Sequence, residues 1–474
     1  MKNLKTSSLG AACLIASLLA APAPAGEAPA PAAPASPPPP EKKAPAAVAE
    51  TGGAAAAPTV RVTLEEAVRM ALASAERIGA ARASLERSDA AVLEAYSGIL
   101  PSVSASGSLA RSKREIQTVN GIQTPASRYA NLYSGTVQLS QPLFTGGAVY
   151  YGVKAARSRR GAASEDVRTA SQTTIFNAAQ DYYNAVLNRE VLAVVRNSYE
   201  LAKSHFKDVQ AREAAGTASK FDVLRAKVAM QNQEAQVISA ENDARLSVAT
   251  LLREIGMPQD TRLELVTEFG AVGATPRVEE ALRTALANRP ELASAELTAR
   301  AQRNSVSAAR SGYLPKLSGS AAWGGTSTDD PLLDDNFVES GSLGVQVQWN
   351  VFDGALTRAR VAEARADLER LQWQERGLRK DVELQVRQAV LNLESARTFI
   401  ESQGANVEEA AEALRLAEAR QKAGAGTELD VQDARNALEQ ARLNYVQSLS
   451  QYATARLALK QATGTLAMPE EVAK

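Results

Sequence analysis

Asp430 and Asp433 stand three residues apart at the head of the last helical run, Leu429 to Gly464, so their carboxylates share one helix face. The work open to such a pair is electrostatic: acids in a first turn complement the positive end of the helix dipole. An earlier stretch reads Phe221-Asp222-Val223-Leu224-Arg225, with Arg225 where the later run has Asp433. His205, the one histidine in 474 residues, lies mid-helix between Ser204 and Phe206 and is expected to be packed or solvent-facing rather than a ligand. The one cysteine, Cys13, falls in a segment that reads as cleaved, which leaves no disulfide and no thiol chemistry in the mature chain. No His/Asp/Glu cluster points to a metal, and no nucleophile motif, phosphate loop or dinucleotide fingerprint appears. Catalysis and cofactors are therefore not expected. Charges balance at 53 basic and 53 acidic residues without a basic stripe, which argues against nucleic acid as a partner.

The elements that position these residues come in two copies. From Gly344 to Gly354, Val345, Val347, Trp349 and Val351 alternate with Gln346, Gln348 and Asn350, the period of a strand with one apolar and one uncharged polar face. At Ala355 the period changes to about 3.6, and a long helix follows on from the strand as one continuous rod. The same junction occurs at Leu143-Phe144-Thr145-Gly146-Gly147, where Phe144 precedes Phe352 by 208 positions. Leu100-Pro101 answers Leu314-Pro315 at an offset of 214, and Asp222-Val223 answers Asp430-Val431 at 208. The chain is an internal duplication.

A first repeat is assigned to 61–258, with strands at 101–115 and 131–144 and helices at 147–214 and 219–256. After a connector at 259–276, with a short strand at 263–266, a second repeat at 277–464 has strands at 315–326 and 341–352 and helices at 355–422 and 428–463. Thr63 and Glu66 form a capping-box pattern, and further helices precede each strand pair. Polar or acidic loops at 111–128 and 329–339 and a tail at 465–474 complete the assignment. Residues 1–25 read as a secretory signal, with Lys2 and Lys5, an apolar run from Leu9 to Leu19 and a small-residue cleavage site at Ala21-Pro22-Ala23 or Ala23-Pro24-Ala25. Residues 26–60 are an Ala/Pro-rich linker expected to be extended and without a core.

Each long helix spans roughly 100 Å at about 1.5 Å per residue. The short turns at Ala214-Ala215-Gly216-Thr217 and Ala423-Gly424-Ala425-Gly426-Thr427 force antiparallel hairpins. Four strands cannot close a barrel, because bacterial barrels need about 8 or more, and an open sheet in lipid leaves unpaired edges. If the strands cross a membrane, copies must combine; two or three copies both satisfy the strand count. A soluble periplasmic coiled-coil scaffold or adaptor would share the hairpins and the signal, but not the paired, uncharged alternating strands.

The duplicated helix–strand–strand–helix unit, the Leu143-to-Gly147 junction and the Gly-Thr hairpin tips, taken in order and twice over, resemble the TolC-like outer-membrane efflux proteins from Val62 to Gly464. The resemblance implies a mainly α fold with a β-barrel part. Three chains would give four strands each to one barrel in the outer-membrane lipid, and their long hairpins would form an α-helical periplasmic tunnel. The function implied is the exit duct of a tripartite efflux or type I secretion system, working with a periplasmic adaptor and an inner-membrane pump. It also implies that Asp430 and Asp433 line a gate at the tunnel's periplasmic end, where six carboxylates would favour cations. Asp222 and Arg225 become candidates for an ion-pair latch, although the family's basic residue after the second tip is Glu428 here. Gly216, Thr217, Gly426 and Thr427 match tips that relatives present to adaptors.

Overall fold

The computed structural model describes residues 59–114, 128–266, 269, 272–327 and 338–466. The signal segment, nearly all of the linker, most of both long loops and most of the C-terminal tail lie outside the described residues. The element order is β1 (Thr59–Val62), α1 (Leu64–Ser74), α2 (Glu76–Ser97), β2 (Ser102–Arg114), β3 (Arg128–Phe144), α3 (Ala148–Ala214), α4 (Lys220–Glu254) and β4 (Arg262–Leu265). The second half continues with α5 (Val278–Asn288), α6 (Pro290–Arg310), β5 (Lys316–Ser327), β6 (Val338–Gln348), α7 (Leu356–Lys422) and α8 (Glu428–Ala462). A helix–helix–strand–strand–helix–helix unit thus occurs twice, and among the described residues no helix is long and apolar enough to cross a membrane.

The chain forms two compact units. One holds β2, β3, β5 and β6, an antiparallel sheet in the order β2-β3-β5-β6. Directly opposed residues share a face, and the register collects apolar side chains on one of them. Val103 opposes Leu139, Leu139 opposes Ala321, and Ala321 opposes Leu343; Val137 opposes Trp323, and Leu317 opposes Val347. The other face carries Ser104 opposite Gln138, Ser140 opposite Ser320, and Ser318 opposite Gln346. Leu343 on β6 is 88% exposed, so this apolar face is uncovered in a single chain. Gly324 permits the close β3–β5 approach, since a Cβ there would fall 2.2 Å from the Gly135 carbonyl oxygen. β6 ends at Gln348 rather than at Phe352, because its last partner is Lys316, the first residue of β5. The indole of Trp349 instead donates to the Tyr313 carbonyl at 3.1 Å.

The other unit is helical. α3 packs against α4, α6 and α8, and α7 against α8, α6 and α5. Buried small residues on α3, among them Ala155, Ala156, Ala162, Ala163 and Ala170, allow the close packing of helices 67 residues long. One core gathers around Tyr182, fully buried, whose hydroxyl donates to the Val62 carbonyl at 3.1 Å. The second uses Val382, Val386, Val390 and Leu393, one face of α7, against α5 and α8. β1 begins inside the span assigned to the linker and pairs in parallel with β4, Thr59 opposite Arg262. α1 opens with a capping box, Thr63 accepting from the Glu66 amide and Glu66 accepting from the Thr63 amide.

Candidate functional site

The two hairpin tips are built by the same local chemistry. α3 ends in a Schellman motif: Gly216 N–H donates to Glu213 O at 2.9 Å and Thr217 N–H to Arg212 O at 2.8 Å, with Gly216 at φ +76°. α7 ends identically, Gly424 N–H to Gln421 O at 2.9 Å and Ala425 N–H to Arg420 O at 2.9 Å, with Gly424 at φ +74°. Gly216 therefore matches Gly424, and Thr217 matches Ala425. Gly426, paired with Gly216 on the Gly-Thr pattern, takes the place of Ala218, and Thr427 takes that of Ser219. The uniform offset of 208, applied from Gly216 onward, would have found this register in the sequence.

Three residues after each positive-φ glycine the return helix is capped. Ser219 Oγ accepts from Asp222 N–H at 3.2 Å while an Asp222 carboxylate oxygen accepts from Ser219 N–H at 3.1 Å. Thr427 and Asp430 repeat the box, at 3.2 and 2.8 Å. The backbone and hydroxyl donors of Thr427 hold the Asp430 carboxyl below the usual carboxylate range, with Arg420 adding a smaller pull. The Ser219 donors do the same for Asp222, helped by Arg225. Asp430 is thus a capping residue with an exposed side chain, and Asp433, one turn on, is exposed without that task. Asp222 and Arg225 lie on one face of α4, and Arg225 borders a polar cleft shared with Gln432, Asn436 and Glu439 of α8. Burial pushes the Glu439 carboxyl up, against hydrogen bonds from Gln233 (2.9 Å) and Ser198.

Close to the second tip lies a contact the sequence did not suggest. His205 Nε2 on α3 stands 2.5 Å from Glu428 Oε1 at the start of α8, and the side chain of His205 is 13% exposed. The other Glu428 oxygen accepts from the Gln421 amide on α7, and Arg435 on α8 pairs with Glu418 on α7 at 3.2 Å. Desolvation holds the His205 imidazole below its ordinary value; Arg435 and Arg212 act in the same direction, while Glu428 and Asp208 oppose. Among the described residues no group of three or more His, Cys, Asp or Glu is arranged to hold a metal ion.

Comparison with known proteins completes the picture. A family model described as "Outer membrane efflux protein" matches residues 67–257 and 281–465, once over each repeat. The chain is 25% identical over 415 residues to outer membrane efflux protein BepC of Brucella suis biovar 1 (strain 1330), covering 86% of this chain and 87% of BepC. It is 25% identical over 342 residues to alkaline protease secretion protein AprF of Pseudomonas aeruginosa, covering 70% of each. Among solved structures, the Campylobacter jejuni CmeC outer membrane channel superposes with a TM-score of 0.76 at 19% identity, over 85% of both chains.

Proposed function

The chain belongs to the outer membrane efflux protein family, and on that premise we infer that three copies join into one channel, each giving four strands to a twelve-stranded barrel and two hairpins to a tunnel. The family is a transport duct of the outer membrane and not a catalytic one. The observation that carries the assembly is the sheet: one face apolar along its middle, the other lined mainly by Ser, Thr and Gln with Lys316 at its end, and two unpaired edges, β2 and β6. Lipid tolerates no such edges. Within the chain, β3 of the first repeat pairs with β5 of the second; β6 pairing with β2 of the next copy continues the same alternation around a closed ring. The helices support the same step. α6 packs between α3 and α7, whereas α2, its counterpart, buries Ile78 alone and leaves Leu93 70% exposed, free for α7 of a neighbouring copy.

The duct works with a periplasmic adaptor and an inner-membrane pump, on the pattern of the relatives whose names record efflux and protein secretion. The tips at Gly216, Thr217, Gly426 and Thr427, exposed except for the half-buried Gly426, face the adaptor. Asp430 and Asp433 narrow the periplasmic mouth and favour cations there, and Asp222 with Arg225 ties neighbouring hairpins. Native mass spectrometry of the protein extracted from outer membranes in detergent is the test. A trimer is expected; a monomer or dimer recovered from the soluble periplasm overturns the barrel.

A further inference from the structure

On the channel reading, which puts a lipid leaflet where the strands give way to helices, we propose that this end of the helical unit binds the phosphates of anionic phospholipid headgroups. It does so through a belt of arginines for which the protein supplies no counter-ions. The chain is neutral overall, with 53 basic and 53 acidic residues, but its charge is not evenly spread. The three turns of α2, α3, α6 and α7 nearest the strands along the chain are residues 87–97, 148–158, 300–310 and 356–366. They hold nine Lys or Arg against three acids, Asp89, Glu94 and Glu363. Asp89 is already engaged by Arg160, which lies just beyond those turns.

Pairing changes along the helices as well. Farther down α7 the arginines are matched by acids about one turn away: Arg370 with Asp367 at 3.3 Å, Arg379 with Glu375 at 3.4 Å, Arg387 with Glu383 at 3.0 Å and Arg415 with Glu412 at 2.6 Å. The first three on that helix, Arg358, Arg360 and Arg365, are exposed, and among the described residues they have no ion-pair partner. Arg303 and Arg310, near the end of α6, are in the same state. α3 makes the same change. Arg168 pairs with Glu165 at 2.6 Å and Arg212 with Asp208 at 2.8 Å, whereas Lys154 lies 4.4 Å over the Tyr150 ring and Arg157 donates to the Tyr96 hydroxyl. Exposed ion pairs contribute little to stability wherever they stand. Folding therefore does not explain why acids accompany the arginines along the shafts and not at this end. An anion from outside the protein does.

Reach and chemistry select phosphate at the lipid surface. Arg310 stands six residues before Lys316, the first of β5, and Arg358 stands ten residues after Gln348, the last of β6. Arg358 and Arg360 lie no more than about 6 Å along α7, and long cationic side chains carry their charge into the polar layer beside a bilayer. Aromatic residues mark the same stretches of chain: Tyr150, Tyr313, Trp349 and Phe352 are all exposed, and Tyr and Trp collect at the membrane–water boundary. A guanidinium presents a planar fork of donors that fits a phosphate in bidentate fashion. Clustered cations beside a bilayer favour headgroups of net negative charge over zwitterionic ones. The α2 of a neighbouring copy would bring only Glu94 and the engaged Asp89, too few for five arginines.

The test uses the full-length assembled protein in phosphatidylcholine vesicles carrying a trace of spin-labelled phosphatidylglycerol or spin-labelled phosphatidylcholine. The motionally restricted fraction of each probe gives the relative affinity of the protein for that headgroup. The parent is expected to prefer phosphatidylglycerol by about fivefold or more. Arg310→Gln, Arg358→Gln and Arg360→Gln together are expected to bring the preference below about twofold, while Lys at the same three positions keeps it. Arg379→Gln, Arg387→Gln and Arg415→Gln together remove as much charge from paired sites and are expected to leave the preference unchanged. A parent without preference, a preference that survives the first glutamine triple, or an equal loss in the second each overturn the proposal. Should the first triple fail to assemble, Arg310→Gln and Arg358→Gln singly carry the test: a partial loss is expected, and no loss overturns the proposal. Conductance recorded on the same preparation separates the two readings. A conducting protein without headgroup preference defeats the belt alone, and a headgroup preference without conductance defeats the channel alone.

Discussion

At the exit from its second strand the first repeat has Gly146 and Gly147 at φ +64° and +87°, and the second has Gly354 and Ala355 at +64° and +69°. The backbone demand is duplicated, yet the second copy meets it with a residue carrying a Cβ, at a cost of roughly 1–2 kcal/mol. The hairpin tips show the same division. Both keep a glycine at positive φ and a Ser/Thr–Asp capping box, while the position of Arg225 in the first copy holds Asp433 in the second and that of His205 holds Ala413. Main-chain hydrogen bonds admit few substitutes, so the two copies remain alike there. Side chains directed at solvent or at a neighbouring helix are free to differ, and the differences between the two copies accumulate in them.

The largest expected effect breaks the resemblance at the tips. Gly216→Val and Gly424→Val each force a β-branched residue to positive φ, so unfolding in denaturant should show losses of at least about 1–2 kcal/mol per site, with export abolished if assembly survives. Retained export would make the tips dispensable. Next comes the charge difference. Arg225→Asp makes the first tip like the second and should raise cation preference in bilayer recordings, Asp433→Asn should lower it, and an unchanged reversal potential for both removes these residues from the gate. Ala355→Gly sharpens the junction comparison: a gain of about 1 kcal/mol in denaturant unfolding is expected, with Gly147→Ala losing a similar amount.

Thr427→Ala and Ser219→Ala should cost equally, about 1 kcal/mol each. Their partners add a pH signature. Asp222 and Asp430 have depressed folded values, so their contribution is present above the ordinary value of about 3.9 and is lost as pH falls through the lower one. Parent protein should therefore lose helix stability on acidification below about pH 4, and Asp430→Asn should lose less over the same range. The smallest effect belongs to Gly426→Ala. A Cβ there meets Gln421 N at 3.1 Å but needs no positive φ, so the loss should stay well below that of Gly424→Ala. A reversed order would restore Gly426 as the partner of Gly216.

The fold was legible where one pattern ran long and recurred. Val345, Val347 and the glutamines between them define a sheet face without any partner being known, and the proline-free runs after Gly147 and Ala355 could only be helices of great length. What escaped depended on residues far away. The end of β6 at Gln348 is set by where β5 begins, not by the alternation that continues to Val351. β1 is four residues at the edge of an Ala/Pro-rich segment, and its partner β4 lies beyond two long helices. The candidate site was half legible. Asp430 and Asp433 are visible as a spaced pair, but the capping duty of Asp430 and the contact of His205 with Glu428 need the hairpins placed side by side.

The uncovered apolar face of the four-stranded sheet bears on how the protein is made. A chain that reaches the membrane alone has no closed state to adopt there, since both edges and Leu343, Val345 and Val347 are left without cover. On the proposed assembly, insertion and association are one event, and the yield of mature channel is expected to rise with a power of chain supply greater than one. Halving synthesis should then remove more than half of the channels, and a defective chain that still pairs through β2 or β6 should spoil the sound copies it joins.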